Sequence, residues 1–510
     1  MIRKCMDVKL NVRPVFVNCA HKYYYEGPCR MSGGETLKPG FDSIVNSARM
    51  RETLETIEKM MPDCVNLMEP VSVECSDDWE VKEEYFETLL KDRDQVDVYL
   101  ASNNFGADAI FNEFCLRCKK PVCILPNIWN PAKSGLLFNL GVDAICEMDW
   151  EDTVRQLVVR HARKAIAQSN LLLVPRFNND IPVAGATDSF VNLRAVTELM
   201  GVHFRTVNLH EIVDQMHPLT EEGNHTTPGR VTPNITEEEI RELEAMADEL
   251  MAGAEVAEIE KKHVVKSLIA HKVIQKNMDL YDCSGVVIPC PDACSTRRMN
   301  QEQFTFCLNH SLNLEQGLPS CCEYDVASAV TMLAEIAISG KAPYMGNTLP
   351  VIFSDERSLS KQLTKMMPEE DIKDLAGMDN LYAVAHSTPH RKFKGIQEPN
   401  GSYGLKHFAY DQGFGAVMRH NFNEDAGQVI TFAKFSGDLK RLLIGKGTIV
   451  RSFGYDLNNC NGGFIFQVAD QKKVYRAQCR AGLHMPLVFG DYTEELKLLA
   501  ESYGMEAILV

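Results

Sequence analysis

Apolar and polar positions alternate in blocks along the first third of the chain, and the blocks predict strands separated by helices. The strand candidates are short apolar runs at residues 14–18, 96–101, 122–125 and 144–146. Amphipathic stretches lie between them, most clearly at residues 44–60 and 79–91. This alternation is typical of a parallel sheet with helices on its faces. The polar segment 102–106 follows a predicted strand, where open α/β sheets place their ligand-binding loops.

The same alternation continues in the second third of the chain. Strands are predicted at residues 170–174, 204–207 and 285–289. Helices are predicted at residues 189–200, 236–252 and 262–278. The second of these helices opens with Thr236 and Glu239, which match a capping box. The polar stretch 218–232, rich in glycine, proline and threonine, is predicted to be a loop.

After about residue 345 the apolar runs become shorter, more β-branched and more aromatic, with frequent glycines. Strands are predicted at residues 381–385, 413–418, 428–433, 448–452 and 463–468, before a final helix at 493–503. A pattern of short β-branched and aromatic segments separated by glycines favours a β-sandwich or a β-barrel. The pattern as a whole predicts an α/β fold with two doubly wound (Rossmann-like) α/β domains, residues 1–170 and 171–350. A β-rich C-terminal domain, residues 351–510, follows them.

Composition and charge narrow the classes of partner. The chain has 510 residues, with 53 basic against 70 acidic side chains and a formal net charge of −17. A surface of this charge argues against nucleic acid or an anionic membrane as the main partner, although a small anionic substrate remains compatible with it. The N-terminus lacks the apolar core of a signal peptide, and no apolar run reaches the roughly 18 residues that span a bilayer. We therefore expect a cytoplasmic protein.

The 17 cysteines are expected to be reduced thiols, because an odd number cannot pair fully within one chain. Cys115, Cys118 and Cys123 superficially suggest a metal site, but no fourth ligand is evident. The sequence around them is better explained by the end of a helix followed by a buried strand. Two other close pairs are interpreted in the same way, as small buried side chains: Cys290 with Cys294, and Cys321 with Cys322.

The segment GLPSCCEYDVASAVTML, residues 317–333, carries the most informative chemistry. Glu323 and Asp325 stand at the junction between a short segment and an apolar helix, and Asp325 is a favourable N-cap residue. Carboxylates beside a helix N-terminus are stabilised by the helix dipole, so capping alone explains them. A binding site explains them equally well, because His484, in AGLHMPLVFGDYTEEL, is a candidate partner.

The same segment, continued to GKAPYMGN, resembles the core of the L-fucose isomerase and L-arabinose isomerase superfamily. VAHSTPH at 384–390 is similar to that family's strand that ends in a histidine. The stretches KHFAYDQGFGAVMRHNF and GQVITFAKFSGDLKRLLIGKGTIV resemble its C-terminal β domain. The terminal segment around His484 resembles the one that holds the family's histidine metal ligand. The resemblance covers residues 280–510, and before residue 280 it extends only to the order of the α/β layers.

The resemblance implies a divalent metal, usually Mn²⁺ with Mg²⁺ as an alternative, held by two carboxylates and one histidine. Carried onto this chain, the ligands are Asp325, with Glu323 close by, and His484. Such enzymes interconvert aldoses and ketoses through an ene-diol. The metal polarises two sugar oxygens, and a carboxylate, here Asp325 or Glu323, moves the proton. The resemblance also implies a homo-oligomer, a trimer or a hexamer, that acts on a carbohydrate-type substrate.

The chain departs from this family at one metal ligand. Relatives carry a glutamate roughly two dozen residues before the Glu/Asp turn, whereas FTFCLNHS has no acid there. Glu302 and Glu315 lie nearby, and His310 is either a substitute ligand or a packed residue. Asn347 occupies a place where relatives commonly have aspartate.

Other candidate substrate contacts are Arg297 and Arg298, whose guanidinium groups match carboxylate or phosphate, although paired surface arginines are also common. His386 is a pocket-lining candidate or a histidine satisfied by backbone. Two classes of function therefore stay open. One is a metal-dependent sugar isomerase, with Asn347, His386 and the arginines at the substrate. The other is a lyase-type enzyme or a small-molecule binding protein on the same scaffold, with an altered metal site.

Overall fold

The computed structural model describes residues 2–22, 38, 40–76, 80–104, 106–177, 188–219, 232–354 and 359–510. Contacts divide the chain into two units. One is Val8–His161, and the other combines Met1–Asp7 with Ala162–Val510. The helix that ends the first unit continues into the second.

The unit Val8–His161 is built around one parallel sheet. Its strands are β1 (Leu10–Ala20), β2 (Val65–Leu67), β3 (Val71–Ser76), β4 (Val98–Asn103), β5 (Val122–Ile124) and β6 (Ala144–Cys146). Its helices are α1 (Phe41–Met60), α2 (Glu83–Leu89), α3 (Asp108–Cys118), α4 (Asn130–Asn139) and α5 (Trp150–Ala167). The strand order is β2-β1-β4-β5-β6, and β3 continues the edge that β2 begins, because both pair with β1. Strand β1 is buried over most of its length, as expected for a parallel strand covered on both faces.

The second unit begins with another parallel sheet. The elements of this part are β7 (Asn170–Leu173), α6 (Leu193–Met200), β8 (His203–Thr206), α7 (Leu209–Asp214), α8 (Glu237–Gly253), β9 (Val256–Glu258), α9 (Lys261–Leu280), β10 (Gly285–Val287), α10 (Cys290–Cys294), α11 (Arg298–Glu302), α12 (Cys307–Glu315), β11 (Ser320–Cys321) and α13 (Val326–Ser339). The strand order is β11-β10-β7-β8, all parallel. The Glu323 turn follows strand β11 directly, and α13 follows that turn.

A closed antiparallel barrel of six strands follows. The elements from here to the C-terminus are β12 (Tyr344–Pro350), α14 (Leu359–Leu363), α15 (Glu369–Ala376), β13 (Leu381–Ala385), β14 (Gly404–His407), β15 (Ala416–Arg419), β16 (Val429–Phe435), β17 (Arg441–Phe453), β18 (Gly463–Val468), α16 (Gln471–Ala481), β19 (His484–Phe489), α17 (Thr493–Ser502) and β20 (Glu506–Leu509). The barrel order is β16-β19-β12-β13-β18-β17, and β17 closes it by pairing with β16. Aromatic side chains dominate one buried cluster of this region: Tyr344, Tyr382, Phe422, Phe432, Phe464 and Phe466. Strand β14 lies outside the barrel and joins β15 and β9 in a small sheet.

The predicted mixture of parallel α/β layers and a C-terminal β domain is confirmed in this form. The strands predicted at 381–385 and 463–468 have the predicted bounds. The capping box is also present, because Thr236 accepts from Glu239 N and the Glu239 carboxylate accepts from Thr236 N. The predicted final helix is followed by a strand, β20, that pairs with β17. Most of the predicted loop 218–232 lies outside the described residues.

Helix α6 begins at Leu193 rather than at residue 189, because the Asn192 side chain caps it by accepting from Ala195 N. The strands β12 and β19 have no counterpart among the predictions. Within the described ranges, no helix is both long and apolar enough to cross a membrane. The described cysteines are all free thiols.

His390 gives the fold a measurable dependence on pH. Its Nε2 lies 3.1 Å from Pro343 O, and Lys392 N–H donates to its Nδ1 at 3.1 Å, so the neutral ring satisfies both partners. Burial, with smaller contributions from His420 and Arg391, lowers the pKa of His390 to about 3. The unfolded chain binds this proton near pH 6.5, so stability is retained above that pH and is lost as the pH falls towards 3.

We therefore expect His390 to remove about 2–3 kcal/mol from the free energy of unfolding between pH 7 and pH 4.5. Urea denaturation at the two pH values measures this loss, and His390→Gln should show a correspondingly smaller loss. The exposed His203 supplies the control, since His203→Gln changes a histidine on the surface of β8 and should leave the pH dependence as it is. An equal pH dependence in His390→Gln and wild type would contradict the assignment.

Candidate functional site

The turn between β11 and α13 has an unusual backbone that positions two carboxylates. Glu323 and Tyr324 have φ values of 55° and 57°, in the left-handed region that non-glycine residues adopt at a cost. Tyr324 N–H donates to Ile288 O at 3.1 Å, and Asp325 N–H donates to Cys322 O at 3.3 Å. The turn is thus anchored both to its own start and to the segment that follows β10.

Asp325 is the N-cap of α13, as its sequence predicts, and it is fully buried. Its Oδ1 accepts from Ser328 N at 3.0 Å, and its Oδ2 accepts from Ser328 Oγ at 2.7 Å. The same Oδ2 is in contact with the Lys434 ammonium and lies 3.3 Å from His484 Nδ1. Burial raises the pKa of Asp325, but Lys434 and His484 outweigh burial and hold that pKa below its usual range. Capping and site chemistry therefore use the same carboxylate.

Glu323 is the accessible carboxylate of the pair, with 23% of its side chain exposed. Its Oε2 lies 3.1 Å from His484 Nε2, and its Oε1 lies 3.4 Å from His386 Nε2. Burial raises the pKa of Glu323, but the imidazoles of His386 and His484 lower it by more than burial raises it. The pKa therefore lies well below the usual range of a glutamate. Glu323 is therefore ionised at neutral pH.

His484 stands between the two carboxylates because it is the first residue of β19, paired in register with Asn347 of β12. Burial lowers the pKa of His484, yet Asp325 and Glu323 raise it to about 9. Neither ring nitrogen makes a hydrogen bond of acceptable geometry to the described residues, although each lies within 3.3 Å of a carboxylate oxygen. The buried ring is therefore paired electrostatically with two carboxylates without a well-aligned hydrogen bond to either.

His386 follows β13 directly and has a defined orientation. Ser387 N–H donates to His386 Nδ1 at 3.0 Å, so the proton of the neutral ring is on Nε2, which faces Glu323. The backbone of His386 is held as well, since His386 N–H contacts the Tyr344 hydroxyl at 2.8 Å. His386 is thus suited to donate to Glu323.

Glu323 and His484 line one wall of a cavity of about 650 Å³. Its polar lining includes Asp188, Glu323, Asn347, Gln478 and His484. The volume lies in the range of small-molecule sites. Of the sequence-predicted site residues, Glu323, Asn347 and His484 line this cavity, His386 contacts Glu323, and Asp325 lies behind His484.

The structure does not bring Arg297 and Arg298 to the cavity. The guanidinium of Arg298 pairs with Asp214, with Nη2 2.6 Å from its Oδ1, and also faces His210 O at 3.3 Å. Arg297 precedes α11 in a left-handed conformation, with φ 61°. The expected clamp on an anionic group is therefore replaced by a surface ion pair with another helix.

The residues near the position where the isomerase family carries a glutamate have other partners. Glu302 faces His217 at 3.0 Å, and Glu315 forms a buried two-point ion pair with Arg391 at 2.6 and 2.8 Å. His310 faces Cys290 rather than Glu323. Nothing in this stretch supplies a further carboxylate to the cavity.

Sequence reasoning missed two members of the site. Lys434 is fully buried in β16, where its ammonium contacts Asp325, lies 3.1 Å from Ser328 Oγ and lies 3.7 Å from Asp188. Asp188 also accepts from the backbone N–H of His484 at 3.4 Å. A lysine at an inward position of the apolar run VITFAKF was the available signal, because lysine is almost never fully buried without a partner.

Two groups of side chains are spaced to hold a cation, and His484 belongs to both. One is Glu323, His386 and His484, and the other is Asp188, Asp325 and His484. The ammonium of Lys434 already supplies positive charge on the Asp325 side, so the Glu323 side is the one open to a further ion. No model of a known protein family matches this chain, and no curated protein sequence does either. The family resemblance of the C-terminal half therefore remains a prediction from its motifs.

The buried pair of Lys434 and Asp325 is expected to be a large local contribution to stability. Lys434→Met should lower the free energy of unfolding by about 3–5 kcal/mol, because it leaves the carboxylate buried without its cation. Urea denaturation measures the loss. Lys446→Met is the matched control, since its exposed pair with Asp491, at 3.1 Å, should contribute less than about 1 kcal/mol.

A Lys434→Met loss as small as that of the control would contradict this assignment. The double variant Lys434→Met with Asp325→Asn should lose less than the sum of the two single variants, because the uncompensated charge is then absent.

Proposed function

We propose that this chain is a divalent-metal-dependent enzyme of the aldose–ketose isomerase type. It would move a proton between adjacent carbons of a sugar or an anionic sugar derivative. The observation that carries the proposal is the ionised carboxylate of Glu323, 3.1 Å from Nε2 of His484, at the wall of a small-molecule-sized cavity.

The donor set fits a divalent ion on the Glu323 side of His484. Carboxylate and imidazole together suit Mn²⁺, with Mg²⁺ as the harder alternative. Asp325 lies 3.3 Å from the other ring nitrogen of His484. In many metal sites a carboxylate in this position orients the histidine that binds the metal. In this proposal Glu323 and His484 hold the ion, and Asp325 positions His484. Asp325 as a direct ligand, which the family resemblance implies, is the competing assignment.

When bound, the ion would polarise neighbouring hydroxyl and carbonyl oxygens of an open-chain sugar and make the carbon-bound proton more acidic. Glu323 is ionised and partly accessible, so it is the group that can accept that proton. His386 holds Oε1 of Glu323 through its Nε2–H, so Oε2, which lies 3.1 Å from His484 Nε2, is the oxygen that would meet both the ion and the proton. Asn347 presents a cavity-facing amide that can bind a hydroxyl of the substrate.

Lys434 supports a second candidate function on the same scaffold. Its ammonium contacts Asp325 and lies 3.7 Å from Asp188, so part of the cluster carries a cation of its own. A lyase-type enzyme or a metal-free small-molecule binding protein would retain the cavity and this ion pair. Metal content therefore separates the two candidates.

We also propose that the two parallel sheets are two doubly wound (Rossmann-like) α/β layers. The support is their strand order. In the first sheet β1 lies between β4 and the edge formed by β2 and β3, and in the second sheet β7 lies between β8 and β10, so each order reverses direction at its first strand. A homo-oligomer, a trimer or a hexamer, and a carbohydrate-type substrate complete the proposal.

Purified chain, stripped of metal and titrated with Mn²⁺, is expected to bind one ion at this site. His484→Ala should weaken the binding by more than about 100-fold, since even partners of metal ligands contribute 10–100-fold. Calorimetry measures the heat of binding, and electron paramagnetic resonance measures the Mn²⁺ that stays free. His217→Ala, which removes an exposed histidine, is the control and should bind as wild type does. A wild-type chain that binds no more Mn²⁺ than His484→Ala would favour the metal-free candidate.

The reaction is tested by exchange of the sugar C2 proton in deuterated water, which NMR follows. The panel consists of aldoses, ketoses and their acidic derivatives, each with added Mn²⁺. For the substrate that reacts, Glu323→Gln should lower the exchange rate by about 10²–10⁴-fold, the range of a general acid–base group. Asp438→Asn changes another carboxylate of the same cavity and should retain the rate. Equal rates in Glu323→Gln and wild type would refute the assigned role.

A further inference from the structure

A second cluster of ligand-type side chains lies next to the Glu323 turn and takes no part in the proposed reaction. Cys290 Sγ, His310 Nε2 and Cys322 Sγ all lie within 4.8 Å of one another. The distance from Cys290 Sγ to His310 Nε2 is 3.7 Å. Sulfur and nitrogen ligands of one tetrahedral zinc ion are about 3.6 Å apart, from the usual Zn–S and Zn–N bond lengths.

The three side chains come from different elements, so the cluster depends on the tertiary structure. Cys290 begins α10 and is partly exposed, His310 lies within α12 and is fully buried, and Cys322 follows β11 and is buried. An ion at their centre would join these three segments. Cys290 is the partly exposed member of the three, so solvent is nearest on its side.

His310 is held in the orientation that a metal-ligating histidine needs. Its Nδ1 lies 2.9 Å from Ser320 Oγ, and the Asn313 amide nitrogen lies 3.3 Å from the same oxygen. With Nδ1 partnered in this way, Nε2 is the nitrogen that faces Cys290. A partner on the second ring nitrogen is typical of histidines that bind metals.

The neighbouring thiols have other partners. Cys307 and Cys460 both contact Ser387 Oγ, at 3.2 and 3.4 Å. Cys294, four residues after Cys290, is exposed and is not a member of the cluster. Cys290 and Cys322 are therefore the two sulfurs directed at His310.

We propose that Cys290, His310 and Cys322 form a zinc site with a fourth position open to solvent. Two thiolates and one imidazole are ligands that favour Zn²⁺ over Mn²⁺ and Mg²⁺, which prefer oxygen. The site is distinct from the carboxylate–imidazole cluster of Glu323 and His484, and it does not depend on the proposed isomerase reaction. Binding replaces the two thiol protons, which are released to solvent.

The position of Cys322 gives the site a structural consequence. Cys322 immediately precedes Glu323, which has a left-handed backbone together with Tyr324. Zinc on Cys322 ties this turn to α10 and α12 and so stabilises the conformation that presents Glu323 to the cavity. The ion would have a structural role in holding the turn and would not contact the substrate.

Co²⁺ titration of the full chain, reduced and freed of metal, tests the site, because cobalt–thiolate bonds absorb in the near ultraviolet. We expect a thiolate band that saturates at one ion and disappears when Zn²⁺ is added, with two protons released per zinc in weak buffer. Cys290→Ser, at a partly exposed position, should remove the band and weaken Zn²⁺ binding by more than about 100-fold. Ser320→Ala should weaken it by about 10-fold, through the orientation of His310.

Cys294→Ser changes the exposed thiol of the same short helix and should keep the band. His484→Ala should also keep it, even where Mn²⁺ binding is lost, so failure of the proposed function leaves this site standing. The proposal is overturned if the reduced wild-type chain gives no thiolate band, if Cys290→Ser retains the band, or if Cys294→Ser removes it to the same extent.

Discussion

A single buried charge organises the region from which the proposed chemistry follows. The Asp325 carboxylate is out of contact with solvent, so its charge must be balanced by groups that the fold brings to it. The N-terminus of α13, the hydroxyl of Ser328, the ammonium of Lys434 and the ring of His484 provide that balance. Since these groups belong to α13, β16 and β19, the same interaction joins the helix to the barrel.

The barrel strands place the other side chains of the site around Asp325. Antiparallel pairing places His484, the first residue of β19, opposite Asn347 of β12, and Asn347 opposite Ala385, the residue before His386. Side chains alternate between the two faces of a strand, so a shift of one residue in either pairing would exchange the faces of these positions. The register of three barrel strands therefore decides that two imidazoles reach one glutamate.

Two adjacent residues of one turn, Cys322 and Glu323, have side chains in two chemically different surroundings. Cys322 lies with a second thiol and His310, whereas Glu323 lies between His386 and His484. Soft and hard donors kept apart in this way would favour different ions if both proposed sites bind metal. The left-handed backbone at Glu323 and Tyr324 is strained for side chains of their size, and such strain persists only where surrounding contacts impose it. Here the backbone bond from Tyr324 to Ile288, the cap of α13 and the ion pairs of Glu323 supply those contacts.

Features that depend on near neighbours in the chain could be predicted from the sequence. Helical spacing and an N-cap aspartate were sufficient to place α13, because capping involves groups only three residues apart. Alternation and turn residues located strands such as β13 and β18, and the parallel layers before them. Lys434, 109 residues from Asp325, and Asp188 were missed, because their charges matter only once the barrel brings them to that carboxylate. Cys290 and Cys322 were likewise interpreted as packed side chains, and His310 as either a substitute ligand of the carboxylate site or a packed residue. That these three side chains face one another could not be predicted, since α10, α12 and the end of β11 are brought together by packing and by sheet register.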